Sequence, residues 1–138
     1  MTIGEIQFRV RYSECDPMGV VHHATYPIWL EMGRTELLRA TGTTYREMEV
    51  AGHFLVVAKL ELRYRRPARY DDVLTLRTHV LEVGAVKILH EYEIRRGTEI
   101  ILVATSTLGC VDREGRACPM PATLRDAIAT TEGMAPGA

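Results

Sequence analysis

The chain is short of several features that commonly announce a function. It has three cysteines, Cys15, Cys110 and Cys118, an odd number at no regular spacing. That argues against a disulfide framework and fits reduced thiols in a cytoplasm. No stretch approaches the ~20 apolar residues of a membrane span. The opening residues, MTIGEIQFRV, hold no apolar run, so no signal peptide is expected. Charge of one sign is also missing. Lys and Arg number 17 against 18 Asp and Glu, a formal net charge of −1, so no overall attraction to nucleic acid or to an anionic membrane is expected. There is no internal repeat and no sign of a second domain. What is there is 138 residues, 46% hydrophobic and 25% charged, enough for one core. We expect a single domain over residues 1–130, with 131–138 (EGMAPGA and the Thr before it) as a disordered tail.

Residues 5–12, EIQFRVRY, alternate strictly, with Ile6, Phe8, Val10 and Tyr12 on one face. They read as a half-buried strand. Asp16-Pro17-Met18-Gly19 reads as a turn. From about His22 to Thr41 the spacing becomes helical, with Ile28, Trp29, Met32 and Leu37 as apolar positions and Gly42 at the stop. Charges are spread around this helix, which suggests that it is covered on several sides. A short helix is expected over 44–50, strands over 54–66, 72–83, 86–96 and 99–112, and a last short helix over 122–130. Short links such as Arg96-Gly97-Thr98 and Val83-Gly84-Ala85 imply an antiparallel meander. The order β-α-β-β-β-β places one long helix after the first strand of an antiparallel sheet, an α+β fold.

The chemistry concentrates in YSECDPMGVVHHATY, residues 12–26. Cys15, Asp16, His22 and His23 are all possible metal ligands. Neighbouring residues on a strand or helix diverge, however, so each adjacent pair offers one convenient ligand, and a structural zinc site wants four. A second reading is a plain helix N-terminus, where turn residues and a carboxylate are ordinary. A third is catalytic. Unpaired N–H groups at a helix start can hold a developing oxyanion, and an ionised aspartate opposite them can attack a carbonyl or activate water. Spacing alone leaves the second and third readings open.

The pattern D-x-x-G-V-V-H-H-A-x-Y resembles the signature of the hotdog-fold acyl-CoA thioesterases of the 4-hydroxybenzoyl-CoA thioesterase group, closest to the branch of the Tol-Pal-associated thioesterases. YRRPARYDD, residues 64–72, is similar to that family's second strand and following turn. The resemblance covers about residues 5–125. It implies a five-stranded antiparallel sheet wrapped around the long helix, and homodimers or homotetramers with active sites at subunit interfaces. It implies an acyl-CoA substrate hydrolysed to acid and CoA without a metal or other cofactor. Asp16 matches the catalytic aspartate, and His23 the position whose backbone N–H polarises the thioester carbonyl. His22 is implied as pocket wall, and Gly19 as the residue that permits the tight turn. Lys59 and Lys87 align with positions near the coenzyme A arm, whose phosphates call for cations. Glu31 reads as a helix carboxylate paired with Arg34 or Thr35, or as a group orienting water. Cys110 reads as core, and Cys118 carries no signal. A hotdog protein that binds acyl-CoA without hydrolysing it, and a hotdog dehydratase, are the alternative functions.

Overall fold

Alternating segments of the sequence become five strands of one antiparallel sheet in a computed structural model of the chain, which describes residues 2–132. In chain order the elements are β1 (Ile3–Arg9), α1 (Tyr26–Ala40), α2 (Tyr45–Val50), β2 (Phe54–Tyr64), β3 (Val73–Val83), β4 (Lys87–Arg96), β5 (Glu99–Val111) and α3 (Ala122–Glu132), with a single 3₁₀ turn at Tyr12–Glu14. The spatial order is β1-β3-β4-β5-β2. One face of the sheet carries Leu74, Leu76, Thr78 and Val80 from β3, Ile88, His90, Tyr92 and Ile94 from β4, and Leu102, Ala104, Ser106, Leu108 and Cys110 from β5, all buried. The period of two is the strand repeat, and this face is closed by α1. The expected hotdog arrangement is the one found.

Tyr26, Trp29, Leu30, Gly33, Arg34, Leu37 and Leu38 are the buried residues of α1. They recur at i, i+3, i+4, i+7, i+8, i+11 and i+12, one stripe of a helix. The helix is therefore covered on one side within the chain, not on several. Ile28 and Met32, expected among its packing positions, are exposed, as are Glu31, Glu36 and Arg39. Gly33 sets the approach of α1 to the sheet. A methyl group there would run into Thr78 Oγ1 and would stand 2.8 Å from Leu76 Cδ2.

Three expectations need correction. First, the sheet is not a simple meander. β3, β4 and β5 follow one another, but β2 pairs with β5 at the far edge and β1 with β3 at the other. The reason lies in residues 65–72. Pro67 has no N–H to continue a ladder. Instead Val21 N–H donates to Ala68 O (2.8 Å), and the Arg96 guanidinium donates to Pro67 O (3.2 Å) and to Asp72 Oδ2 (2.7 Å). These bonds hold the link across the end of the sheet. Second, β1 stops at Arg9 rather than at residue 12. Glu14 Oε1 accepts the Arg11 N–H (2.7 Å) and bends the chain into the 3₁₀ turn, leaving Tyr12 79% exposed. Third, the last helix runs to Glu132, two residues into the expected tail. Residues 133–138 lie outside the described residues.

Candidate active site

The loop between β1 and α1 is a small hairpin. Cys15 bridges Val21, Asp16 N–H donates to Val20 O (2.8 Å), and His22 N–H donates to Glu14 O (2.9 Å). Asp16 opens its turn. Its Oδ1 accepts the N–H of Met18 (2.8 Å) and of Val20 (3.4 Å), the self-bonding that favours Asp in turns. Gly19 sits at φ +80°, in the left-handed region that residues with a side chain rarely adopt. Asp16 Oδ2 has no hydrogen-bond partner among the described residues, and the carboxylate is partly exposed.

His22 and His23 follow, both exposed, their rings stacked at 4.3 Å. The helix does not begin with them. It begins at Tyr26, and residues 23–25 form a turn. The side chain of His22 takes the Ala24 N–H on Nδ1 (3.1 Å), and Tyr64 donates its hydroxyl to His23 O (2.8 Å). Pro27, the second helical residue, brings no N–H and fits only in the opening turn. The His23 N–H thus belongs to the turn leading into α1, and it has no acceptor among the described residues. Next to it lies an open hollow of about 240 Å³ lined by Val21, His23, Tyr26, Tyr64, Arg65, Arg66 and Pro67.

Two residues that support this loop lie in stretches the sequence singles out, yet nothing in the sequence assigned them a role. Glu14 is buried and ties three segments together. Its carboxylate accepts the Arg11 N–H, the Arg11 guanidinium (3.3 Å) and the Trp29 indole N–H (2.9 Å), while its own carbonyl holds His22. Burial opposes its charge. The Arg11 N–H, the Trp29 indole and the Arg11 guanidinium outweigh burial and set the carboxyl below its ordinary value of 4.5. A depressed carboxyl adds stability that is full above the unfolded value and fades as pH falls through the folded one. Glu14→Gln should therefore melt below wild type at neutral pH by the equivalent of about 1–3 kcal/mol. The gap should narrow as pH drops below 4.5, which thermal melts across that range would check. Tyr64, the first residue of YRRPARYDD, is the other. It ends the outer strand, crosses Tyr26 edge-on at 5.2 Å and fixes His23 through its hydroxyl.

Other candidates fall elsewhere. Lys59 and Lys87 are exposed and pair with Thr107 and Gly109. Their strand neighbours Leu60 and Ile88 pair with the buried Ser106 and Leu108, so both lysines stand on the sheet face turned away from α1. Within one chain they are not brought to Asp16. Val56, in the row of Gly109 and Lys87, and Tyr64, which touches His23, are eight residues apart on β2, roughly 26 Å at about 3.3 Å per residue. Arg34 does not pair with Glu31. It is buried and donates to the Tyr92 hydroxyl (3.2 Å), which meets Ser106 Oγ at 2.6 Å. Beside it, burial and then the Arg34 charge push His90 down to about 3, so this imidazole is neutral. Glu31 is exposed and borders a cavity of about 330 Å³ with Arg34, Thr35, Tyr45, Glu49, Leu55, Val57 and Leu108. Neither cysteine with a shifted thiol offers a ready nucleophile. Burial, then Glu14 and Asp16, push Cys15 up, and burial with the Cys118 thiol pushes Cys110 up to about 12.

A carboxylate with a free oxygen and a backbone N–H without an acceptor thus stand on one exposed loop of a hotdog sheet. The chain belongs to the thioesterase-like superfamily, whose family model matches residues 10–128. It is 38% identical over 105 residues to the acyl-CoA thioesterase YbgC of Haemophilus influenzae, covering 75% of this chain and 77% of that one. It is 31% identical over 105 residues to the acyl-CoA thioester hydrolase YbgC of Escherichia coli, covering 75% and 78%. Among solved structures, a Thermus thermophilus protein superposes with a TM-score of 0.87 at 31% identity, covering 93% of this chain and 96% of that one. No helix among the described residues is long and apolar enough to cross a membrane.

Proposed function

We propose that this chain hydrolyses acyl-CoA thioesters to a carboxylic acid and CoA, with Asp16 as the reacting carboxylate and the His23 N–H as the carbonyl's hydrogen-bond donor. The observation that carries the proposal is the pairing on one loop of two groups left free, Asp16 Oδ2 and the His23 N–H. An N–H aimed at a thioester oxygen strengthens its bond as negative charge develops there. Asp16 then acts by one of two routes. It attacks the carbonyl carbon, CoA leaves as the thiolate, and water opens the resulting anhydride; or it takes a proton from water, which attacks in its place. Free thiol release from short, long and aromatic acyl-CoAs tests the function. Turnover well beyond one equivalent per chain is expected with at least one of them. Saturable binding with no turnover across the set would make the chain a binder.

The active unit is a homodimer at least, in a homotetramer of paired dimers. β2 has a neighbour on one side only, and Val56, Val57, Leu60 and Tyr64 are exposed along it. An uncovered apolar edge of this kind is a docking edge. Two copies of β2 pairing antiparallel about Leu60 would set Tyr64 of one subunit beside Val56 of the other. His23 would then adjoin the other subunit's Glu31 cavity, a suitable place for the acyl group, with the row of Lys87 on the far side of the sheet. His22 forms the wall between, and Gly19 holds the turn. The reduced thiols suit a cytoplasmic location.

Under this arrangement Lys59 and Lys87 receive the phosphates of coenzyme A. Lys87→Ala should raise KM a few-fold and leave kcat in place, because contacts far from the thioester change little between ground and transition states. An exposed ion pair contributes only ~0.5–1 kcal/mol, and added salt should shrink the difference. The same acyl group on a pantetheine arm lacks the nucleotide phosphates, so wild type and variant should then behave alike. Equal loss on both substrates would take Lys87 out of the binding site.

A further inference from the structure

At the end of the sheet remote from Asp16, three ligating side chains far apart in sequence converge. Cys110 lies one residue from the end of β5, on the helix-facing side, and is buried. After it the chain makes a tight turn. Asp112 Oδ1 accepts the N–H of Glu114 (2.9 Å) and of Arg116 (3.0 Å), and Asp112 N–H donates to Arg116 O. The turn folds Ala117 back onto Val111 and lets Cys118 N–H donate to Cys110 O (3.0 Å). Cys118 is thereby set beside Cys110. His53 arrives from the other direction, between α2 and β2. Its N–H is fixed to Met48 O (2.9 Å), the preceding Gly52 takes φ +92°, and the following Phe54 is in register with Val111. Each of the three is held by its own backbone bonds, so the cluster is positioned by the fold.

The distances have a definite form. Cys110 Sγ and Cys118 Sγ are 3.5 Å apart, and His53 Nδ1 is 4.0 Å from the first and 3.9 Å from the second. A tetrahedral zinc with Zn–S near 2.3 Å and Zn–N near 2.0–2.1 Å has ligand–ligand edges of about 3.5–3.8 Å. The observed triangle matches within a few tenths of an ångström. A disulfide would need the sulfurs at about 2.05 Å, and a pair of thiols poised for one gives no reason for an imidazole equidistant from both. Thiol–thiol and thiol–imidazole hydrogen bonds at these lengths are weak.

We propose that His53 Nδ1, Cys110 Sγ and Cys118 Sγ bind a soft transition-metal ion, zinc, as a three-ligand site with its fourth position left to water or an exogenous ligand. Two sulfurs and an imidazole select zinc over magnesium or calcium, which take oxygen. Binding releases the two thiol protons, and the two thiolates then balance the charge of the dication, which suits a largely buried place. The ion would join the α2–β2 loop, the end of β5 and the approach to α3. Those segments enclose an apolar cluster that includes Met48, Leu108, Met120 and Leu124. The site does not depend on the hydrolysis reading, because neither Asp16 nor His23 takes part.

The test uses the full chain, reduced, stripped with a chelator and titrated with Co²⁺ and then Zn²⁺. One Co²⁺ per chain is expected, with thiolate-to-cobalt charge-transfer absorption and the intense visible bands of tetrahedral cobalt, displaced by one equivalent of Zn²⁺. His53→Ala and Cys118→Ser should each weaken binding at least ~100-fold, beyond what losing a supporting contact does. Cys15→Ser should leave stoichiometry and spectrum unchanged. Zinc should raise the melting temperature of wild type and of Cys15→Ser only. The proposal is overturned if the reduced wild-type chain takes up less than one equivalent or shows no thiolate band, a result that does not rely on any variant folding. It is equally overturned if Cys15→Ser abolishes the band. Should mild oxidant join Cys110 to Cys118 in a chain that binds no metal, the pair is a redox couple instead.

Discussion

Replacing Asp16 with asparagine is expected to lower kcat for acyl-CoA hydrolysis by at least about 100-fold, roughly 2.7 kcal/mol of transition-state stabilisation. The substitution is chosen for what it leaves intact. The asparagine oxygen can still accept the Met18 and Val20 N–H groups that Asp16 Oδ1 accepts. Gly19 keeps its positive φ, and Pro17 its place in the turn. What disappears is the charge on the second oxygen, hence both the nucleophile and the base. KM should change little, since the loss falls on the transition state rather than on ground-state binding. Thiol release at saturating substrate measures the effect, and a melting curve close to wild type shows that the turn survived. Near-normal turnover by this variant would remove Asp16 from the mechanism and leave the loop as a structural hairpin.

The strands were legible because their signal is local. Val86 to Ile94 alternates residue by residue, and the sheet buries Ile88, His90, Tyr92 and Ile94 as that alternation requires. The position of β2 was not legible, because nothing within VVAKLEL says which strand it will pair with. That choice is made by bonds from residues 67–72 to Val21 and Arg96, partners distant in sequence. The start of α1 was misplaced by about four residues for a similar reason. His22 and His23 have the spacing of a first helical turn, yet their backbone is taken by Glu14 and Tyr64. Arg34 and Glu14 show a further limit. Each is a charged residue on an element end or helix face, and only the folded chain reveals Tyr92 beneath the one and Trp29 beside the other. The cysteines are the extreme case. Cys110 is core, as its strand position implies, but its approach to Cys118 and His53 was not legible, since the triangle spans more than fifty residues and leaves no spacing motif. Asp16, Gly19, His22 and His23 were found together because one short loop holds all four; Lys59 and Lys87 stand apart from it in a single chain.

That separation leads to the second large effect expected, at the outer edge of β2. Leu60→Arg should convert the assembly to monomers and reduce hydrolysis at least ~100-fold, although Leu60 is distant in sequence from Asp16 and His23. Leu60 is 37% exposed in the isolated chain, midway between the exposed Val56 and Tyr64. A guanidinium there can reach solvent when the chain is alone, so folding should persist. In a symmetric antiparallel pairing about this residue, the two arginines of the two subunits face each other. Like charges brought together in an apolar contact oppose association strongly. Under the proposed pairing, the monomer keeps the loop of Asp16 and the His23 N–H but loses the partner's Glu31 cavity, the place proposed for the acyl group, and orientation of the thioester should be lost with it. Leu60→Ile preserves the apolar, strand-favouring character and should keep both assembly and activity. Light scattering across micromolar concentrations, read beside thiol release on the same samples, separates the outcomes. A monomeric Leu60→Arg chain with wild-type kcat would show that each subunit carries a complete site. A wild-type chain that is monomeric and active would do the same. A dimeric Leu60→Arg chain would move the interface off β2.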